Sequence, residues 1–182
     1  MSETNKRVLG VNIIGIPTEE EYWNCPGVPS VKRMLKGPVA VIECFQEIPC
    51  NVCEDACPFG AIKVGHPITN LPVLDEDKCK GCKLCIPICP GLAIFVVDLS
   101  REGEARISLP YEFLPVPSVG EEVDALDRWG RVVAKAKVVQ VLYSEKFDKT
   151  YIITISVPKK YAFFVRSIKV RRRDFEAFSD NM

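Results

Sequence analysis

Six of the nine cysteines in this chain recur at a fixed interval, and no other feature limits its fold as strongly. A spacing of 32 residues relates two sets of three: Cys50, Cys53 and Cys57, and Cys82, Cys85 and Cys89. The flanking residues also match, since Cys57-Pro58-x-x-Ala61-Ile62 corresponds to Cys89-Pro90-x-x-Ala93-Ile94. Such a repeat indicates a duplicated unit. We expect each copy to run strand, cysteine loop, short helix, strand, with strands at 39–43 and 62–64 in the first copy and at 73–74 and 94–97 in the second.

The chemistry of this chain is expected to reside in its cysteines. The cysteine count is odd and residues 1–7 show no start of a secretory signal, which argues against a disulfide framework and predicts a cytoplasmic protein. The single histidine, His66, leaves little material for hydrolases that need a histidine base, and we read it as an exposed or capping residue. Neither a dinucleotide nor a nucleotide motif is present, and no apolar run is long enough to predict a membrane span.

The second copy has the spacing typical of an iron–sulfur site. It reads Cys79-x2-Cys82-x2-Cys85-x3-Cys89-Pro90. Three cysteines two residues apart let one loop wrap around a cluster, while Gly81 permits tight wrapping and Lys83 brings positive charge to an anionic group. Zinc and inert core thiols are the alternatives. Zinc takes four ligands per ion, which fits poorly with an interleaved set that has Cys-Pro at the end of each run.

The first copy departs from this spacing. Its first cysteine is expected at position 47, which is a glutamate, and the nearest upstream cysteine is Cys44. We predict Cys44 as the ligand, with the extra residues bulging out before Pro49. Glu47, Cys25 and a three-iron cluster are the alternatives. Cys25 itself is interpreted as an unreactive thiol, because its Pro/Gly surroundings offer no activating base.

Residues 37 to 100 resemble the two-cluster bacterial ferredoxins. The resemblance implies two 4Fe–4S clusters, with the last cysteine of each run crossing to the other cluster. Carried over residue by residue, it gives cluster 1 to Cys44, Cys50, Cys53 and Cys89. It gives cluster 2 to Cys79, Cys82, Cys85 and Cys57.

The longer context resembles the dicluster subunits that accompany flavin-dependent amino-acid or amine dehydrogenases. This resemblance implies an electron-transfer subunit that is no enzyme by itself and that relays single electrons within a larger complex. It implies a hetero-oligomer with flavoprotein subunits carrying FAD or FMN. A stand-alone two-cluster ferredoxin with an added tail is the alternative, and a redox-sensing protein that binds nucleic acid is a third.

The predicted fold is α+β, a ferredoxin-like dicluster domain followed by a small antiparallel β-barrel. The predicted segments are a lead at 1–36 with a strand-like apolar run from Val8 to Ile16, the dicluster domain at 37–109, a Pro-rich linker at 110–117, the barrel at 118–172 and a tail at 173–182. Short strands at 122–126, 131–143, 151–157 and 167–172, with the turn Asp127-Arg128-Trp129-Gly130 after the first, predict the barrel.

Charge divides the chain in a similar way. Residues 1–127 hold 11 Lys+Arg and 19 Asp+Glu, whereas residues 128–182 hold 13 and 5. The basic part is predicted to be a docking surface for an acidic partner, although solvated faces of opposite sign explain the asymmetry equally well. Arg171-Arg172-Arg173 is interpreted as a solvated or partner-facing basic strip, with phosphate contact as the alternative. With zero net charge and no nucleic-acid motif, no nucleic-acid partner is expected.

Overall fold

The computed structural model describes residues 10–170, so Arg171-Arg172-Arg173 and the predicted tail lie outside the described residues. The helices are short: α1 Val11–Ile14, α2 Glu19–Asn24, α3 Val31–Met34 and α4 Val52–Asp55, with 3-10 turns at Glu145–Phe147 and Lys159–Tyr161. The strands are β1 Val39–Ile42, β2 Ile62–Lys63, β3 Val73–Leu74, β4 Ile94–Asp98, β5 Glu104–Tyr111, β6 Glu122–Leu126, β7 Val132–Leu142, β8 Tyr151–Pro158 and β9 Ser167–Lys169. None of the described helices has the length and apolar character needed to cross a membrane.

Seven strands form one antiparallel sheet in the order β1-β4-β5-β8-β7-β6-β9, and β2 pairs with β3 in a separate ribbon. Short helices with a mostly antiparallel sheet agree with the predicted α+β class. The strand order leaves β1 and β9 at the two edges. No pairing among residues 10–170 closes the strands into the predicted barrel.

The lead segment corrects one prediction. The apolar run from Val8 to Ile16 was expected to be extended, but its described part contains the helix α1, which ends at Gly15 with φ 73°. A carboxylate further along the chain fixes this geometry. Glu21 accepts hydrogen bonds from the backbone N–H of Val11 at 3.2 Å and of Thr18 at 2.8 Å. Thr18 and Glu21 also form the capping box that begins α2.

The second copy of the repeat lacks the short helix that was expected. Residues 84–88 form turns, whereas the first copy has α4 at the corresponding place. The strands of the two copies do pair with one another, β1 with β4 and β2 with β3. Pairing the first strand of one copy with the last strand of the other places both cysteine loops at the ends of the same short strands.

The main sheet runs across the predicted linker. β5 includes Pro110 and Tyr111 and pairs with β8 over eight residues. Both faces of β8 are covered, because Ile152, Ile153, Thr154 and Ile155 are all buried. A single set of buried side chains therefore extends from the cysteine region to the C-terminal strands. The division into two domains stays a prediction.

Candidate metal centre

The first group of predicted ligands lines one cavity. Cys44 follows β1, Cys50 and Cys53 flank the start of α4, and Cys89 comes from the other copy of the repeat. These four cysteines share the cavity with apolar side chains, among them Ile48 and Val52, both partly exposed. The structure thus places the four thiols named for cluster 1, Cys89 among them, around one cavity.

The second group lines another cavity. Cys79, Cys82 and Cys85 come from the second copy, and Cys57 reaches them from the end of the first cysteine loop. Cys79 and Cys85 are buried, and Cys82 is exposed. The two groups of four have no member in common. Both observations describe the placement of thiols, and the ligand assignment itself remains a proposal.

Backbone N–H groups point at the sulfurs in a pattern that follows the repeat. The N–H of Ala61 donates to Cys57 Sγ at 3.3 Å, and the N–H of Ala93 donates to Cys89 Sγ at 3.4 Å. These are equivalent positions in the two copies. The N–H of Ala40, in β1, donates to Cys79 Sγ at 3.4 Å. Hydrogen bonds to cluster sulfurs are among the features that set reduction potentials.

The loop around the second cavity needs unusual backbone conformations. Gly81 has φ 62°, and a Cβ there would lie 2.5 Å from the carbonyl oxygen of Pro38. Lys83 also has a positive φ of 73°. Its ammonium group donates to Gln140 Oε1 at 2.5 Å and to Thr154 Oγ1 at 3.1 Å. Lys83 therefore attaches the cysteine loop to β7 and β8, a contact that the sequence did not predict.

The thiols fit an iron–sulfur cluster by their chemistry. All nine cysteines are free of disulfides. Burial, and to a lesser degree the neighbouring thiols Cys89 and Cys50, raise the pKa of Cys53 to about 11. Burial also raises the pKa values of Cys44 and Cys85. Ionised sulfurs held this close repel one another, so the ligand form needs bound cations to offset its charge.

The described residues contain no group of three or more His, Cys, Asp or Glu side chains that converges on one metal ion. The four thiolates of a 4Fe–4S cluster bind four different irons, so its ligands surround a cavity and need not converge. The arrangement in both cavities is of this surrounding kind.

The two residues named as alternatives to Cys44 as a cluster ligand, Glu47 and Cys25, lie outside both cavities. Glu47 is exposed and lines neither cavity. Cys25 is buried, its thiol lies 3.5 Å from the Ile42 carbonyl oxygen, and burial raises its pKa. It too lines neither cavity. His66 is exposed.

A buried charge centre beside Cys44 was missed by the sequence analysis. The carboxylate of Glu43 accepts hydrogen bonds from Arg128 Nε at 2.8 Å and from Arg166 Nε. The side chains of Glu43 and Arg166 are only 7% and 5% exposed. Burial by itself would raise the pKa of Glu43, but the two arginines hold it below its ordinary value. Both arginines also lie over the ring of Tyr22.

The Glu43 centre connects parts of the chain that are far apart in sequence. Glu43 follows β1, Tyr22 belongs to α2, and Arg128 and Arg166 flank the strand pair β6 and β9. Separations of 85 and 123 residues gave no local signal from which these contacts could be read.

Comparison with known families supports the iron–sulfur interpretation. Two models described as 4Fe–4S binding domains match the chain, one over residues 72–95 and the other over residues 48–60. Their ranges include predicted ligands from both copies of the repeat. The matches identify the cysteine region as ferredoxin-type 4Fe–4S sequence, a class that serves electron transport.

Curated relatives match the same region. One subunit of an ion-translocating oxidoreductase complex from Methanosarcina acetivorans is 43% identical over 47 residues, 26% of this chain and 17% of the relative. A ferredoxin-type protein NapF of Haemophilus influenzae is 36% identical over 59 residues, 31% and 34% of the two chains. One subunit of a Na(+)-translocating ferredoxin:NAD(+) oxidoreductase complex from Acetobacterium woodii is 35% identical over 52 residues, 29% and 15%. The chain spans at most about a third of these relatives, and no solved structure matches it.

Proposed function

We propose that this chain is an electron-transfer subunit with two 4Fe–4S clusters. Cluster 1 is assigned to Cys44, Cys50, Cys53 and Cys89, and cluster 2 to Cys57, Cys79, Cys82 and Cys85. When bound, each cluster supplies one-electron storage. The single observation that carries the proposal is that two cavities are each lined by four thiols drawn from both copies of the repeat.

The proposal places the chain within a larger cytoplasmic complex. Two of the relatives are named as subunits of oxidoreductase complexes, which supports assembly with other chains. Two further parts of the proposal are a flavoprotein partner that carries FAD or FMN and an amino-acid or amine substrate for the complex. Both rest on the sequence resemblance to the dicluster subunits of flavin-dependent dehydrogenases. The chain itself performs no substrate chemistry in this proposal. Thiols and apolar side chains make up most of the lining of both cavities, and its polar members are Glu43, Gln46, Lys80 and Lys83.

A surface patch supports a protein partner. Trp23, Trp129 and Phe164 are exposed around one cavity, and Trp23 packs against Phe163 with ring centroids 5.1 Å apart. Arg131 lies over the Trp129 ring at 5.6 Å. Tryptophan and arginine are the residues most enriched where a few side chains carry the energy of an interface.

Anaerobic metal analysis tests the cofactor assignment. We expect eight irons and eight acid-labile sulfides per chain, and about four irons or stoichiometric zinc contradicts the assignment. Purification of the native complex tests the partner. We expect a flavin-containing chain to co-purify in a fixed ratio. A monomer that carries both clusters supports instead the stand-alone ferredoxin, and retention on nucleic acid at physiological salt supports the redox sensor.

A further inference from the structure

A further cavity, lined largely by polar side chains, lies between the cysteine loop of cluster 2 and the main sheet. Its volume is about 230 Å³. One wall is the loop residue Lys83, and the floor is formed by Arg106 and Ser108 of β5 with Gln140 of β7 and Thr154 of β8. Pro38, Val96 and Val139 complete the lining with Asp98. No thiol lines this cavity, although it shares Lys83 and Val96 with the lining of the cluster 2 cavity.

The charged groups of this cavity leave an excess of positive charge. Lys83 and Arg106 face it with one carboxylate, Asp98. Oδ1 of Asp98 already accepts hydrogen bonds from the backbone N–H and the hydroxyl of Ser100. Outside the lining, Glu104 Oε1 forms an ion pair with Arg106 Nε at 3.6 Å, longer than a hydrogen bond, and Glu104 Oε2 accepts from the Ser156 hydroxyl.

Some hydrogen-bond donors at this cavity have no acceptor among the described residues. Arg106 Nε is buried and has no hydrogen-bond partner, and the rest of its guanidinium makes none to the described residues. The amide oxygen of Gln140 accepts from Lys83, and its NH2 group makes no hydrogen bond within residues 10–170. The Lys83 ammonium uses two of its three N–H donors in the hydrogen bonds to Gln140 and Thr154. Arg106 Nε is the one side-chain nitrogen or oxygen of the described residues that is buried without a hydrogen-bond partner, and such a donor is costly, so the lining favours a ligand that only accepts.

We propose that this cavity binds a small oxyanion, a phosphate or a carboxylate group, held by Arg106, Lys83 and the Gln140 amide. Arginine presents parallel N–H donors that match two oxygens of such a group. The volume is several times the roughly 30 Å³ that one water occupies in the liquid, so a phosphate or a dicarboxylate fits without rearrangement of the sheet. Because Lys83 belongs to the loop between Cys82 and Cys85, the bound anion would lie beside cluster 2 and link its surroundings to solute concentration.

Isothermal titration of the full-length, cluster-loaded protein tests this site. Inorganic phosphate and succinate are the two probes, and sodium chloride at matched ionic strength is the baseline. We expect saturable binding of at least one probe. The probe that binds with the higher affinity shows whether the site prefers a phosphate or a carboxylate. Arg106→Met should weaken that binding at least about tenfold, since it removes charge-assisted hydrogen bonds.

A matched variant separates the site from general charge effects. Arg101 also lies near Glu104, at 3.9 Å, but it is outside the cavity lining. Arg101→Met should therefore bind the probe as the unaltered protein does. If Arg106→Met fails to fold, Arg106→Lys takes its place in the test. This variant keeps the positive charge but loses the parallel N–H donors of the guanidinium, so its binding of the probe should weaken several-fold. Equal binding by the Arg106 variants and the unaltered protein, or heats no greater than those of chloride, overturns the proposal. The cluster content is measured separately, so failure here leaves the proposed electron-transfer function untouched.

Discussion

Cys25 and Cys44 are close neighbours with different surroundings. The thiol of Cys25 lies 3.9 Å from the carbonyl oxygen of Cys44, yet only Cys44 lines the first cavity. We therefore expect Cys44→Ser to lose or convert the cluster held with Cys50, Cys53 and Cys89. Cys25→Ser is the matched control and should keep both clusters. Electron paramagnetic resonance of the reduced proteins measures this, and cluster loss in Cys25→Ser alone would show that the ligand assignment is wrong.

Gly81 is the residue whose backbone the second cavity depends on most directly. With φ 62° and a Cβ position 2.5 Å from the Pro38 carbonyl oxygen, any side chain forces the loop to shift. We expect Gly81→Ala to reduce the occupancy of cluster 2 and to leave cluster 1 intact. The iron content and the resonance signals of the purified variant provide the measurement.

Gly91 offers the control for that experiment. It follows the last cysteine of the second run, it has open space around a built Cβ, and its φ is not positive. Gly91→Ala should therefore keep full iron content. Loss of iron in both variants would mean that these loops tolerate no added methyl group anywhere, and the specific role of Gly81 would be wrong.

At the level of secondary structure, period-2 patterns and turn residues predicted much of the sheet. The turn Asp127-Arg128-Trp129-Gly130 does separate β6 from β7, and Asp127 Oδ1 accepts from the N–H of Trp129 and of Arg131, both at 2.9 Å. β5 was not predicted, because Pro110 near its end suggested a linker. Proline is tolerated there since its missing donor costs one ladder bond at the strand terminus.

The resemblance to two-cluster ferredoxins implied the two groups of thiols, and the repeat that carries this resemblance is a local signal in the sequence. Contacts between elements distant in sequence were not predictable, since nothing in the residues near Lys83 or Glu43 indicates a partner more than 50 positions away. The pairing of β5 with β8 also joins elements that are distant in sequence, and it was not predicted either. Local patterns predict elements, whereas the packing of those elements depends on the whole chain.

The Glu43 centre is where several elements meet, and it gives a test at this scale. Arg166→Met removes one of the two cations that compensate a buried carboxylate. Breaking such a buried pair costs about 3 kcal/mol of unfolding free energy. Anaerobic chemical denaturation of the cluster-loaded protein, followed by far-ultraviolet circular dichroism, measures the loss.

An ion pair whose arginine is exposed provides the comparison for Arg166. Arg131 contacts Asp127 at 2.7 Å, but its side chain is 69% exposed. Arg131→Met should therefore cost less than about 1 kcal/mol. Similar losses in the two variants would show that the Glu43 centre contributes no more than a surface ion pair.

At the scale of the whole molecule, the acidic and basic parts of the sequence meet inside the fold as well as at its surface. Arg128 and Arg166 belong to the basic part, and they compensate Glu43 from the acidic part. Lys83 makes the opposite connection, from the cysteine loop to the C-terminal strands. Some of the positive charge assigned to docking is thus used internally. The lysines that remain exposed, Lys160 and Lys169 among them, are the ones available to steer an acidic partner.

These connections predict that a cut in the segment between β5 and β6 leaves the molecule in one piece. Phe113 and Leu114 are 65% and 87% exposed, so a protease recognition sequence can be inserted between them without disturbing the core. After cleavage, the eight residue pairs of β5 with β8 and the hydrogen bonds to Glu43 still join the fragments. We expect the fragments to co-elute on gel filtration with both clusters retained, and to separate only in denaturant. The uncut protein is the reference for elution volume and for cluster absorbance. If the fragments separate in buffer and the N-terminal fragment keeps both clusters, the chain consists instead of two independent domains joined by a linker.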